Sequence, residues 1–407
     1  MPRAMKDSGI KWIGVIPVEW TTIKFKYLHN GLNTGEAIGK EYWSSDENDN
    51  IFYTAGLVPI KTNYEDFPIW KLTGDSDLLL ARNGTPYIYL PVKRALYTDH
   101  IIRASMKDNI NRRFVQYSLQ RSIASVVVDS VSIATWSASL WNEQTIAFPP
   151  LEEQQRIASF LDDKCARIDS VIEKTRVSVE EYKKLKQALI TRAVTKGIRP
   201  NRPMKHSGVE WLGDIPAEWE IIKLKYISRF MQTKYSKDDG QLNYIGLENV
   251  VGWSGTFIKT DSVYDLDQSL ICEVGDILFG KLRPYLAKVY LNTSKQCCSG
   301  EFAVIRIDDS MCKRFFWYQL MSHGFIFTVD SSTYGTKMPR ANAEYIKNIS
   351  VVVPPLEEQK EIAQYLDEKT AAIDSLVAKK NQLAEELTSL KKSLIFEYVT
   401  GKKEVPT

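Results

Sequence analysis

The chain has 407 residues, and no CxxC pair occurs among its five cysteines, Cys165, Cys272, Cys297, Cys298 and Cys312. Its four histidines are scattered. A zinc site needs clustered ligands and a disulfide framework needs paired spacings, so buried free thiols are expected instead. Phosphate-cradling GxxxxGK, dinucleotide-binding GxGxxG, metalloprotease HExxH and hydrolase GxSxG patterns are missing. Those enzyme classes lose their chemical basis with them. No stretch approaches membrane-spanning length, and the opening MPRAMKDSGIKWIG lacks the apolar core of a secretory leader, so a cytoplasmic protein is expected. Net charge is small, +3, and any polyanionic partner must be met by local patches. What remains is an ordinary globular composition, long enough for two domains or more.

What is present is repetition. MKDSGIKWIGVIPVEWTTIKFKYL (5–28) returns as MKHSGVEWLGDIPAEWEIIKLKYI (204–227), aligning Trp12 with Trp211, Trp20 with Trp219 and Tyr27 with Tyr226 at an interval of 199. PPLEEQQRIASFLDD (149–163) returns as PPLEEQKEIAQYLDE (354–368) at an interval of 205, so the intervening cargo is about six residues longer in the second half. Within the cargo, RFVQYSL (113–119) resembles RFFWYQL (314–320), each reading as a short amphipathic helix, and DSDLLLARNG (75–84) lies opposite VGDILFGKLR (274–283). Short strand-like runs punctuated by Gly, Asn, Asp and Pro make each cargo a mixed α+β domain.

Each PPLEEQ stretch starts a long helix. Pro150 suits a first helical position, and Glu152 and Glu153 complement the helix dipole. Apolar or small residues then step by threes and fours through Ile157, Leu161, Cys165, Ile168, Ile172, Thr175, Val179, Tyr182, Leu185 and Leu189. The second copy runs through Ile362, Leu366, Thr370, Ile373, Val377, Leu383, Leu387, Leu390 and Leu394. A stripe this narrow is a coiled-coil seam, so the two helices are expected to pair. Each is a rod of roughly 65 Å. Antiparallel pairing would set the two cargo domains at opposite ends of a spacer. Glycines close both helices.

Catalytic constellations are hard to find. Glu181–Lys183 and Glu358–Lys360 have the E-x-K spacing of some metal-dependent nucleases but lie within the helical pattern, where surface ion pairs are the simpler account. Between Glu181 and Glu210 the chain carries Lys and Arg but no acidic residue; this run is either a solvated helix end and linker or a phosphate track. The variable regions offer donors suited to base edges and phosphates: Lys234 and Tyr235, Lys281, Arg283 and Tyr285, then Tyr334, Lys337 and Arg340. Aligned places in the first cargo hold Arg82, Asn83 and Thr85, then Trp136 and Ser137, with Arg103 as a further candidate. The repeated tryptophans are read as structural, since a recognition residue should vary with its cargo.

Taken together, the duplicated PPLEEQ–IA–LD–ID helices, the TKG and TGK endings, the SG–W–G–IP–EW–K–KY repeat and GDILFGKLRPYL resemble the specificity subunits of type I restriction–modification systems, across essentially the whole chain. The resemblance implies a non-catalytic reader of double-stranded DNA. Residues 1–148 and 204–353 would be target-recognition domains, each reading one half of a bipartite, asymmetric sequence. Helices at 149–197 and 354–402 would pair as an antiparallel coiled coil that sets the unread spacer, with a linker at 198–203 and a tail at 403–407. Two modification (adenine methyltransferase) subunits would dock around Leu151, Glu152, Glu153, Gln154 and Ile157, and around Leu356, Glu357, Glu358, Gln359 and Ile362. S-adenosylmethionine would be bound by those partners, ATP and magnesium by the restriction subunit, and no cofactor by this chain. A coiled-coil scaffold with two protein-binding heads is the rival reading.

Overall fold

The computed structural model describes residues 3–83, 86–129, 135–236, 239–260, 269–333 and 337–406. The chain divides into two compact units, Met1–Thr175 with Gln382–Thr407, and Arg176–Asn381. The division falls inside both long helices, so each unit takes one half of each.

In the first unit an antiparallel sheet runs in the order His29–Thr34, Ile101–Met106, Asp77–Ala81, Ile88–Tyr89. Residues 77–81 are all buried, as a hydrophobic run without alternation requires. One face packs on helix α1 (Arg112–Asp129) and on Trp20, Phe25 and Ile146. The other covers a small second sheet built from Trp43–Ser44, Asn50–Tyr53, Ile60–Thr62 and Leu96–Tyr97, with Phe52, Phe67 and Tyr97 in its core. Helix α2 (Ala138–Asn142) precedes the strand Thr145–Phe148, which pairs with Thr21–Lys24 and leads into helix α3 (Leu151–Lys196).

The second unit repeats this plan. Its sheet orders Ser228–Met231, Phe302–Ile307, Ile277–Gly280 and Val289–Leu291 in the same way. Helices α4 (Lys313–Leu320) and α5 (His323–Ser331) cover one face, and a three-stranded sheet holding Cys272, Cys297 and Cys298 lies on the other. Helix α6 (Ala343–Asn348) and the strand Ser350–Val353 lead into helix α7 (Leu356–Val399). All five cysteines are free thiols, and burial pushes the Cys297 thiol up to about 11.

The long helices pack against each other in both units, and the contacts come in matched pairs. In the first unit Phe160 meets Tyr398 at 4.6 Å and Lys391 binds both oxygens of Asp169 at 2.6 and 2.7 Å. In the second, Lys186 binds both oxygens of Asp374 at 2.7 and 2.8 Å. The seam differs from expectation at these lysines. Lys186 is the buried residue, whereas Leu185, Leu383 and Leu390 lie 51, 43 and 54% exposed. An ion pair across the helices thus takes the inward position that a leucine one residue earlier was expected to fill. Pro150 also stands one place before expectation, as the residue whose carbonyl accepts from Gln154 N.

Candidate nucleic-acid interface

The start of each long helix is an anchor for the repeated tryptophan motif. Trp20 and Trp219 are fully buried, and their indole Nε1 atoms donate to Glu153 Oε2 at 2.8 Å and Glu358 Oε2 at 3.0 Å. Arg3 spans Glu153 and Glu19, and Arg202 spans Glu358 and Glu218, each guanidinium lying 5.4 Å from its tryptophan ring. Hydrogen bonds to Glu153 and Glu358 raise the ionisation of Arg3 and Arg202 above its ordinary range. Gln154 and Gln359 are also turned inward, accepting from Asn111 N and Cys312 N and donating to Pro149 O and Pro354 O. Four of these residues together with Ile157 and Ile362 were expected to face a partner. Instead Glu153, Gln154, Ile157, Glu358, Gln359 and Ile362 face the interior of their own units, because the tryptophan, the arginine and the preceding loop already satisfy them. Glu152, Leu356 and Glu357 are exposed and Leu151 is half-buried.

The E-x-K pairs are likewise accounted for: Lys183 pairs with Glu180, Lys360 with Glu357, and Glu358 is buried. Among the described residues no group of three His, Cys, Asp or Glu side chains could hold a metal ion. Much of the basic run is consumed internally, by Lys186 on Asp374, Arg199 on Glu361 at 2.7 Å, Arg202 on Glu358 and Lys196 on Leu212 O and Asp214 O.

The donors of the variable regions gather where the central strands of each main sheet end. In the first unit, Arg82 N donates to His100 O at 2.8 Å, Trp136 N donates to Arg82 O at 2.6 Å, and Asn83 forms a bridge with Thr135. In the second, Lys281 N donates to Glu301 O at 2.9 Å, Ala341 N donates to Lys281 O at 2.8 Å, and Leu282 forms the equivalent bridge with Arg340. One backbone frame therefore carries two different sets of side chains. Arg82 and His100 are exposed in the first; in the second, Arg340 is exposed and paired with Glu301. Burial lowers the ionisation of Lys281, although the Glu301 carboxylate opposes that shift. Arg283 adopts a left-handed backbone, φ 50°, with its N–H donating to Pro339 O at 2.7 Å, which joins its loop to the one carrying Lys337 and Arg340. Tyr285 and Lys337 are exposed beside them. Lys234 bridges Leu270 next to the strand leading to Glu301, and Tyr235 OH donates to Gly240 O at 3.0 Å.

Three expected contacts are structural instead. Arg103 is 9% exposed, donates from Nη1 to Trp70 O at 3.1 Å and Leu72 O at 3.0 Å, and lies near the buried Asp77. Its charge belongs to that loop. Trp136 is 1% exposed and packs on Trp141 with ring centroids 5.0 Å apart. Ser137 caps α2, its side chain accepting from Leu140 N at 3.2 Å. Thr85 and Tyr334 lie outside the described residues. Sequence reasoning passed over His100 and Glu301. Aligning the strands that follow them, IIRASM with FAVIRI, at an interval of 201 would have brought them opposite one another.

Known proteins resemble this chain over most of its length. The MjaVIII specificity subunit of a Methanocaldococcus jannaschii type I restriction enzyme is 26% identical over 355 residues, covering 82% of this chain and 80% of that one. The EcoDI specificity subunit of Escherichia coli is 22% identical over 95% of this chain and 89% of its own. A solved chain described under complex assembly and conformational transition of the type I R-M system superposes with a TM-score of 0.69 at 15% identity, over 95% of this chain and 99% of that one. The HsdS subunit of Thermoanaerobacter tengcongensis gives 0.50 at 15% identity, over 95 and 98%. The type I restriction modification DNA specificity domain matches twice, at residues 17–181 and 216–385, and the chain belongs to that family.

Proposed function

We propose that this chain is the non-catalytic DNA sequence-specificity subunit of a type I restriction–modification complex, each unit's variable domain reading one half of a bipartite, asymmetric target. The supporting observation is the common frame at the strand ends, where matching backbone bonds in the two units carry Arg82, Asn83, His100 and Thr135 in one and Lys281, Leu282, Glu301 and Arg340 in the other. A fixed backbone with exchanged donors is what two readers of different sequences require. Arg283, Tyr285, Lys234, Tyr235 and Lys337 supply further donors around the second frame.

Two modification subunits dock on the paired helices, whose length sets the unread spacer. The helices expose apolar side chains at matching places, Val171 and Leu390 in the first unit and Leu376 and Leu185 in the second, and Leu151, Glu152, Leu356 and Glu357 are open to solvent or half so. A surface repeated in each half suits two copies of one partner. Those partners bring S-adenosylmethionine, and the restriction subunit brings ATP and magnesium. The complex works in the cytoplasm. The experiment is to reconstitute this chain with its modification subunits and measure retention of genomic fragments. Retention of a sequence-defined subset supports the reading. Partner assembly without sequence selection supports a scaffold with two protein-binding heads instead.

A further inference from the structure

We infer that each frame reads one base through a single side chain held by the residue at its strand start: the half-buried Asn83, braced by His100, for an adenine in one half-site, and the exposed Arg340, braced by Glu301, for a guanine in the other. The inference rests on the DNA-reading function proposed above and assigns to it two pairs of side chains.

The two pairs occupy one geometry. Residues 100 and 301 both precede the central strand, and each accepts through its carbonyl from the residue after the neighbouring strand, Arg82 or Lys281. Residues 83 and 135, and 282 and 340, form the matching bridge beside them. In the first unit the amide of Asn83 lies 2.8 Å from His100 Nδ1, with both groups at the surface. Pinning Nδ2 through one hydrogen leaves its second hydrogen and Oδ1 on a common plane, the donor–acceptor pair complementary to adenine N7 and N6. In the second unit the place of Asn83 is taken by Leu282, which has no polar group. The reader has moved across the bridge, to Arg340. Its Nη2 donates to Glu301 Oε1, while the side chain remains 55% exposed. A guanidinium fixed at one corner presents its remaining N–H groups as a fork, complementary to the two acceptors of guanine, O6 and N7.

Glu301 is a positioning residue for Arg340, as His100 is for Asn83. Glu301 Oε1 accepts from Arg340 Nη2, while Oε2 is buried and has no hydrogen-bond partner among the described residues. The opposite chemistry of the braces follows from the readers. A cation needs a carboxylate to hold it, and an amide N–H needs only a neutral acceptor.

The test is to map N6-methyladenine across the genome of cells expressing this chain with its modification subunit, for the wild type and for Asn83→Ala, His100→Ala, Arg340→Ala and Glu301→Ala. Asn83→Ala and His100→Ala are expected to lower discrimination at one adenine of one half-site by about ten-fold. Arg340→Ala and Glu301→Ala should do the same at one guanine of the other half. The unaffected half and the spacer should stay as in the wild type. His100→Gln and Glu301→Gln, which keep an acceptor for the reader, should retain most of the selectivity. A uniform fall in methylation with both halves of the motif intact would make these residues structural and overturn the inference. A wild-type two-part motif whose base tolerance no variant alters would overturn it while leaving the proposed function standing. A wild type that yields no two-part motif would remove that function and this inference with it.

Discussion

Replacing Glu358 with glutamine should damage the second unit more than any comparable change at the first unit's anchor. Glu358 is 2% exposed, binds Arg202 through both oxygens and accepts from Trp219 Nε1 at 3.0 Å. Glutamine keeps a carbonyl for the indole, so that bond survives, but its amide nitrogen replaces the oxygen that accepts from Arg202 Nη1, and one hydrogen bond is lost with the charge. Arg202, whose side chain is 8% exposed, then retains only Glu218, half of which is in solvent. Leaving one member of a buried pair uncompensated costs about 3–5 kcal/mol, and the residual Glu218 contact places this case near about 3 kcal/mol. The equivalent Glu153→Gln should cost less, about 1–2 kcal/mol, because Arg3 and Glu153 are 16 and 15% exposed and better solvated. Urea titration followed by tryptophan fluorescence reads the loss. The double variant Arg202→Met, Glu358→Gln should recover most of it, since no uncompensated cation is then buried and the glutamine carbonyl still accepts from Trp219 Nε1. A loss under about 0.5 kcal/mol for Glu358→Gln, or a larger loss for Glu153→Gln, would refute the reasoning.

Three further outcomes are expected. Arg103→Met should lower stability by about 2–4 kcal/mol, by freeing the Trp70 and Leu72 carbonyls and stripping charge from beside Asp77, without relaxing any base of the target; base-selective relaxation would return Arg103 to the DNA surface. Burial pushes the phenols of Tyr89 and Tyr97 up from 10.0 to about 12. Their neutral forms therefore contribute about 3 kcal/mol each below pH 10, lost as pH rises from 10 through about 12, and phenolate absorbance tracked with urea midpoints should show both changes in that window. Exchanging residues 29–148 for those of another family member should alter one half of the methylated motif; alteration of both halves would end the modular reading.

The duplication was legible because its constant parts are tied to one another. The PPLEEQ glutamate, the buried tryptophan and the arginine seventeen places before it form one cluster, so none can vary alone. The variable donors were legible only as a population. Arg82 and Arg340 are exposed as their composition suggests, yet Arg103 and Trp136, equally plausible on paper, are committed to a loop and a core that form only in three dimensions. The helix stripe was ambiguous by one residue where Leu185 adjoins Lys186, because the aspartate that draws the lysine inward, Asp374, comes from the other long helix. His100 and Glu301 stayed hidden for a similar reason. Each is an isolated polar residue before an apolar strand, and only the frame shows that it bonds Asn83 or Arg340.

The most direct measurement is the methylome of cells expressing this chain with its modification subunit, against cells lacking the chain. Methylated adenines confined to a two-part, asymmetric sequence with a fixed unread spacer are predicted. A single contiguous motif, or methylation unchanged by the chain, would contradict the account.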